Sequence, residues 1–321
     1  MPASGRGALF QILRHTASGR GEGSVALPDY VCASVIDAVV AAGFTPSFYR
    51  VADDLHAERA SLRAALDASP VAALFVSYFG LVDLTADLAF ARETNPGAAL
   101  LKDDVHAPLD VAHLRGADYA FTSLRKALPV PDGALVTPPF AMILDDQPAS
   151  AFALAKLAGG LAKDARRFEP AEDSSFLALL RQGEELLDGD GAYRAAMSWM
   201  SASLLEGIDR DAVAARRRRN FVDLAARIEP LGLRPIVPLA EGSVPLFLPV
   251  RLAGRDAVRQ ELAGEGIFCP AHWPAPAGAL GVASAARLYE SELSLVIDQR
   301  YDAADMERIA AVLVRSGAKA A

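Results

Sequence analysis

Between Gly5 and Pro138, short apolar runs alternate with longer segments whose apolar residues recur every three or four positions, and this alternation constrains the fold more than any other feature. SVALP (24–28), TPSFYRV (45–51), VAALFV (71–76) and AALL (98–101) read as strands, and ADYAFTS (117–123) and ALVT (134–137) complete the series. Helical periods fill the gaps. Segment 5–19 carries Leu9, Ile12 and Leu13 at helical spacing, Tyr30 to Ala42 is closed by Gly43 as a C-terminal cap, and 57–69 and 83–94 follow. Strands of this kind, separated by helices, predict an α/β fold with a parallel or mainly parallel sheet covered on both faces.

The pattern changes twice further along. Segments 148–165, 174–187, 193–206 and 209–229 are helical, the last with Phe221, Leu224 and Ile228 on one face. After them come a strand at 245–251, a helix at 255–264, a strand at 292–297 and a closing helix at 303–316. A chain of 321 residues has room for two domains at roughly 100–200 residues each. The change of pattern divides it into a large domain, 1–205, and a smaller C-terminal α+β domain, 206–321.

Composition removes several functions. Lys and Arg number 32 against 40 Asp and Glu, a formal charge of −8, which argues against a protein that grips nucleic acid over its whole surface. Two cysteines, Cys32 and Cys269, make neither a disulfide framework nor a zinc-binding pair. His15, His56 and His113 lack metal-ligand spacing, so no metal is expected. Asp37 interrupts the most apolar run, and the opening apolar stretch is too short for a signal peptide. A cytoplasmic protein without a membrane span is therefore expected. No G-x-S-x-G, P-loop or H-E-x-x-H motif occurs.

In open α/β sheets, ligands collect beyond the carboxyl ends of the strands. The run LLKDDVHAPLD (100–110) carries Asp103 and Asp104 out of an apolar strand, with His106 three residues after Asp103. A carboxylate there is partly desolvated and needs a cationic or hydrogen-bonding partner; either Asp could instead cap a turn. In TSLRKALPVPDGA, Lys126 follows a strand and precedes a Pro- and Gly-rich turn. The chain holds five lysines against twenty-seven arginines, so each retained amine is informative. An amine can form a Schiff base with an aldehyde cofactor where a guanidinium cannot, although an exposed loop lysine fits the same position. Ser123 could donate to a phosphate. SGRGAL (4–9) opens the first helix, where free N–H groups attract phosphate, and it could equally be a frayed terminus.

In this order, these residues resemble the DegT/DnrJ/EryC1/StrS family of pyridoxal-phosphate aminotransferases, over most of the chain. SGRGAL is similar to the family's S-G-T-x-A-L phosphate helix, KDDVHA to its acidic E-D-x-x-Q/H motif, and TSLRKALPVPDGA to its lysine motif. RRRRNF (216–221), GIFCPAHWP (266–274) and LSLVIDQRY (293–301) resemble its small-domain segments. The resemblance implies a three-layer, fold-type-I large domain plus a small domain, with the site at the boundary of a homodimer. It implies Lys126 as the Schiff-base residue and general base, and Asp103 on the pyridine nitrogen. His106 would lie by the ring, and Arg6, Gly7 and Ser123 by the phosphate. Its implied partners are an amino-acid donor and a keto sugar nucleotide of polysaccharide or related sugar biosynthesis.

The chain departs from the family in several places. Ser123 stands three rather than five residues before the lysine, and PVPDGA replaces a G-E-G-G run. Arg6 replaces the phosphate-binding threonine. Cys32 occupies the ring-stacking aromatic position, with Tyr30 two residues earlier as a substitute. Other pyridoxal chemistry (a lyase, a dehydratase, a non-sugar keto acceptor) and a non-catalytic binding or regulatory relative are the alternatives. Arg216 to Arg219 read as a solvated helix face or a phosphate grip, Asn220 as a cofactor contact crossing between subunits, and His272–Trp273 as a pocket closure or a rigid packed loop.

Overall fold

The computed structural model describes residues 1–16, 23–109, 114–145, 150–165, 173–274 and 283–321. Helix α1 (Gly5–Thr16) leads into β1 (Ser24–Pro28), α2 (Ala33–Ala41), β2 (Thr45–Tyr49), α3 (Arg59–Asp67), β3 (Ala72–Val76), α4 (Thr85–Thr94) and β4 (Ala99–Asp103). Two short strands follow, β5 (Tyr119–Phe121) and β6 (Val136–Thr137). The six form one sheet in the order β2-β1-β3-β4-β5-β6. Every neighbouring pair is parallel except β5–β6. The mainly parallel α/β fold expected from the alternation is thus present.

The strand sequences explain why this sheet is internal. β3 is buried along its whole length, and β1 and β4 are buried beyond their first residues. Sheets flanked by crossover helices bury both faces, so their strands need no polar alternation. Leu9, Ile12 and Leu13 of α1 are fully buried, as the spacing predicted. Gly43 follows the end of α2 at φ +92°, a left-handed turn that favours glycine. Register brings Val76, Asp103 and Phe121 side by side at the carboxyl edge.

The rest of the chain is α5 (Ala151–Ala165), α6 (Asp173–Leu187), α7 (Trp199–Glu206), α8 (Arg210–Ile228), β7 (Leu248–Arg251), α9 (Arg255–Gly264), α10 (Ala283–Ser291), β8 (Glu292–Leu295) and α11 (Ala303–Arg315). β7 and β8 pair antiparallel, and α11 packs on α8. The capping box of Asp302 and Asp305 starts α11.

Three expectations are corrected. The predicted helix at Tyr30 begins only at Ala33, because Tyr30 is drawn into the interior before the helix starts. The segment 193–206 is not one helix: a 3-10 turn ends at Arg194, and α7 starts where the Ser198 side chain accepts the Ser201 N–H. α10 was not foreseen. Its predecessors 275–282, and the first residues of the predicted helix at 148–165, lie outside the described residues.

Candidate active site

A cavity of about 360 Å³ lies at the carboxyl edge of the sheet, a size within the range of small-molecule sites. Its floor is Val76, Asp103 and Phe121, the aligned strand ends. Asp103 is buried, and its Oδ1 accepts the Val105 N–H at 2.9 Å. Burial pushes its carboxyl up to about 7; the Val105 N–H and the nearby Lys126 charge oppose this, and Asp104 adds to it. The next residue has a different fate. Asp104 pairs with buried Lys102 at 2.9 Å and accepts the Ser77 hydroxyl at 2.6 Å.

Lys126 ends the 3-10 turn Leu124–Lys126. It is exposed, and it lines both the cavity and a neighbouring cleft of about 760 Å³. Surrounding protein mass, and then the Arg125 guanidinium, lower its ammonium from the usual lysine value. The turn is held from both sides. Gln299 donates to the Ala127 carbonyl at 2.8 Å. Beyond it, buried Asp132 accepts the Ser198 N–H at 2.8 Å, the Ser198 hydroxyl at 2.7 Å and the Ser201 hydroxyl. Asp132 sits in the PVPDG turn; the Ser198–Ser201 node was not visible in the sequence, because its residues are 66 and 69 positions away.

His106 is buried on the cavity wall, its Nδ1 accepting the Phe79 N–H at 3.3 Å. Burial, then His272 and Lys126, keep its ring well below the ordinary histidine value, so it is neutral with its proton on Nε2. The contact needs a sharp turn: Phe79 lies at φ +57° and Gly80 at φ +71°. A Cβ on Gly80 would stand 2.9 Å from the His106 carbonyl oxygen. Trp273 lies nearly parallel to the His106 ring, 5.4 Å between centroids and 24° apart. His272 also lines the cavity, so the His272–Trp273 segment forms wall rather than remote packing.

The phosphate-helix residues divide. Gly5 and Arg6 line the cavity, Ser123 lines it from the facing strand end, and Ser4 caps the helix by accepting the Gly7 N–H at 3.1 Å. A Cβ on Gly5 would meet Val105 at 3.0 Å, so helix and strand end are in close approach. Gly7 is not on the wall. Its N–H is taken by Ser4, and its Cα faces the Tyr193 carbonyl. The Arg6 guanidinium turns outward to the Leu187 carbonyl and Asp188.

Two further expectations change. Tyr30 lies behind the wall, its hydroxyl donating to the His272 carbonyl, so it offers the cavity no stacking face; Cys32 does line the cavity. Asn220 is buried away from the cavity, and its Nδ2 donates to the Ile297, Asp298 and Tyr301 carbonyls at 3.2, 3.1 and 3.0 Å. Its amide N–H groups go to one loop of its own chain. The tetra-basic run is no plain solvated face either: Arg217 is buried and donates to Gln299 and the Leu246 carbonyl.

Among the described residues, no cluster of His, Cys, Asp or Glu could hold a metal ion, and no helix is long and apolar enough to cross a membrane. No family model matches the sequence, and no curated protein matches it. Solved structures do match in three dimensions. A DegT DnrJ EryC1 StrS aminotransferase from Brucella abortus superposes over 98% of this chain and 84% of its own, at 19% identity and a TM-score of 0.67. Spr1654 from Streptococcus pneumoniae, in its PMP form, covers 98% and 86% at 17% identity and a TM-score of 0.72. Helicobacter pylori PseC, an aminotransferase involved in the biosynthesis of pseudoaminic acid, covers 98% and 85% at 15% identity and a TM-score of 0.67. The chain has the fold of these aminotransferases.

Proposed function

We propose that this chain is a pyridoxal-phosphate-dependent aminotransferase that moves an amino group from an amino acid to a keto sugar nucleotide. One observation carries the reading: an acid whose ionisation is resisted by burial and an amine of lowered proton affinity open on the same cavity, at the carboxyl edge of this fold. The residues fit the cofactor. A carboxyl held up to about 7 is one that a cation placed against it would ionise, and a protonated pyridine nitrogen is such a cation. The Gly5–Arg6 helix start and the Ser123 hydroxyl supply donors for a phosphate.

Bound there, pyridoxal phosphate would supply a ring able to accept electrons from the reacting carbon. Asp103 would keep the proton on the ring nitrogen. Lys126 would hold the aldehyde carbon and, once released by the donor, its Nζ would take the proton from the substrate carbon and return it. His106, neutral and fixed by Phe79, would flank the ring.

The acceptor class rests on the fold shared with PseC, an aminotransferase involved in the biosynthesis of pseudoaminic acid. The cleft beyond Lys126 mixes Arg217, Arg259 and Arg300 with Asp256 and Asp298, Arg300 is held by Asp298, and Phe268 is exposed at its side. A homodimer and a cytoplasmic location belong to the same proposal, as does the division into 1–205 and 206–321. The test is an assay of the cofactor-loaded chain with glutamate and keto sugar nucleotides. Formation of 2-oxoglutarate and an amino sugar is expected; elimination products without amino transfer would replace the reading by a lyase.

A further inference from the structure

One wall of the cavity carries a chain of polar groups that the chemistry above leaves unused. Glu292 and Ser294 lie two apart on β8, so both side chains leave the same face of the strand, and both are fully buried. The Ser294 hydroxyl donates to Glu292 Oε1 at 2.6 Å and lies 2.8 Å from His272 Nδ1. Glu292 Oε2 accepts the His272 N–H at 2.7 Å, and the Tyr30 hydroxyl donates to the His272 carbonyl. The histidine is thus held at its backbone on both sides and at one ring nitrogen. Nε2 is the ring nitrogen that Ser294 does not hold, and His272 lines the cavity.

We propose that His272, Ser294 and Glu292 form a proton relay that lets His272 take up and return one proton at the cavity while its ring stays neutral. A hydroxyl has one proton, so Ser294 gives it to one neighbour and accepts from the other. With Glu292 ionised, Ser294 donates to Oε1 and accepts from Nδ1–H, and Nε2 presents a lone pair. When a proton enters at Nε2, the Nδ1 proton passes to Ser294 Oγ and the Ser294 proton passes to Glu292 Oε1. The charge of −1 on Glu292 becomes zero, His272 has exchanged one neutral tautomer for the other, and Nε2–H is now a donor. The return path runs the same steps backward.

The surroundings favour this route over a charged histidine. Burial, and then Lys126, hold the His272 ring down to about 3, so an imidazolium is costly there. Burial pushes the Glu292 carboxyl up to about 7, against the His272 N–H, the Ser294 hydroxyl and Arg255, so it can store a proton near neutrality. The groups that face the relay are Arg255 of α9, Tyr30 ahead of α2, Cys269 on the same loop as His272, and Lys126 and His106 across the cavity. The inference rests on the cavity being the reaction site, where it adds a second proton-handling group beside Lys126.

The test follows the assigned histidine ring nitrogens of the cofactor-free chain by NMR, from about pH 5 to about pH 9. His272 is expected to change from Nε2–H at low pH to Nδ1–H at high pH, with a midpoint near the Glu292 value of about 7 and no doubly protonated ring between. In Glu292→Gln, the amide donates to Ser294, which donates to Nδ1, and Nε2–H should persist at every pH. In Ser294→Ala, the change should disappear. A doubly protonated His272, a parent tautomer that does not change, or a transition unaltered in either variant would overturn the relay. The titration uses no cofactor, so its outcome is separate from whether Lys126 binds one.

Discussion

Asp103 and Asp104 are neighbours at the end of one strand, yet they occupy opposite electrostatic worlds. Asp104 is closed off: Lys102 and Ser77 satisfy it inside the protein. Asp103 faces the cavity with one backbone N–H and a carboxyl that resists ionisation. Because successive side chains leave opposite faces of a strand, one residue step separates a structural ion pair from an acid that lines the cavity. Lys102 and Lys126 repeat the contrast. One is sealed beside its counter-ion, and the other opens on two cavities with its charge disfavoured.

The comparison breaks most visibly through the lysines. Lys102→Ala leaves Asp104 buried without its cation and should cost about 3–5 kcal/mol in denaturant unfolding. Lys126→Ala should leave the stability of the cofactor-free chain within about 1 kcal/mol of the parent. Equal losses would mean that both lysines are structural.

Asp103 sharpens the contrast through pH. Its carboxyl is up to about 7 in the folded chain against an ordinary 3.8, so the folded state holds a proton that the unfolded chain releases. That stabilisation is complete below the ordinary value and is lost as pH rises through about 7. The full loss is at most about 4 kcal/mol. Asp103→Asn should therefore be more stable than the parent at alkaline pH, by about 1–3 kcal/mol, and similar to it near pH 4, both without cofactor. The opposite sign would place Asp103 in an ion pair like that of Asp104.

A smaller effect separates the cavity from the C-terminal region. Asn220→Ala removes three bonds to loop carbonyls and should cost about 1–3 kcal/mol. It should leave cofactor capture on the same chain unchanged, because the residue does not reach the cavity wall.

Much of the fold was legible because the central strands β1 and β3 are mostly apolar and the helices keep their period. Helix α10 was not: ASAARLYES is only 9 residues long, and it packs beside both β7 and β8. At the site, Asp103, His106, Ser123 and Lys126 could be picked out because each lies at the end of a strand or within five residues after it. Tyr30, Gly7 and Asn220 were placed by motif position, and the structure assigns their polar groups to His272, Ser4 and the 297–301 loop. Such choices depend on residues up to 242 positions distant, which local patterning does not encode. The Glu292–Ser294–His272 chain was hidden for the same reason, since its members look like an ordinary strand and an ordinary loop.

The most direct measurement mixes the purified chain with pyridoxal phosphate, reduces it with borohydride and maps the modified peptide by mass spectrometry. The account predicts cofactor fixed on the peptide containing Lys126 and none fixed in Lys126→Ala. Fixation spread over other lysines, or undiminished in the variant, would contradict it.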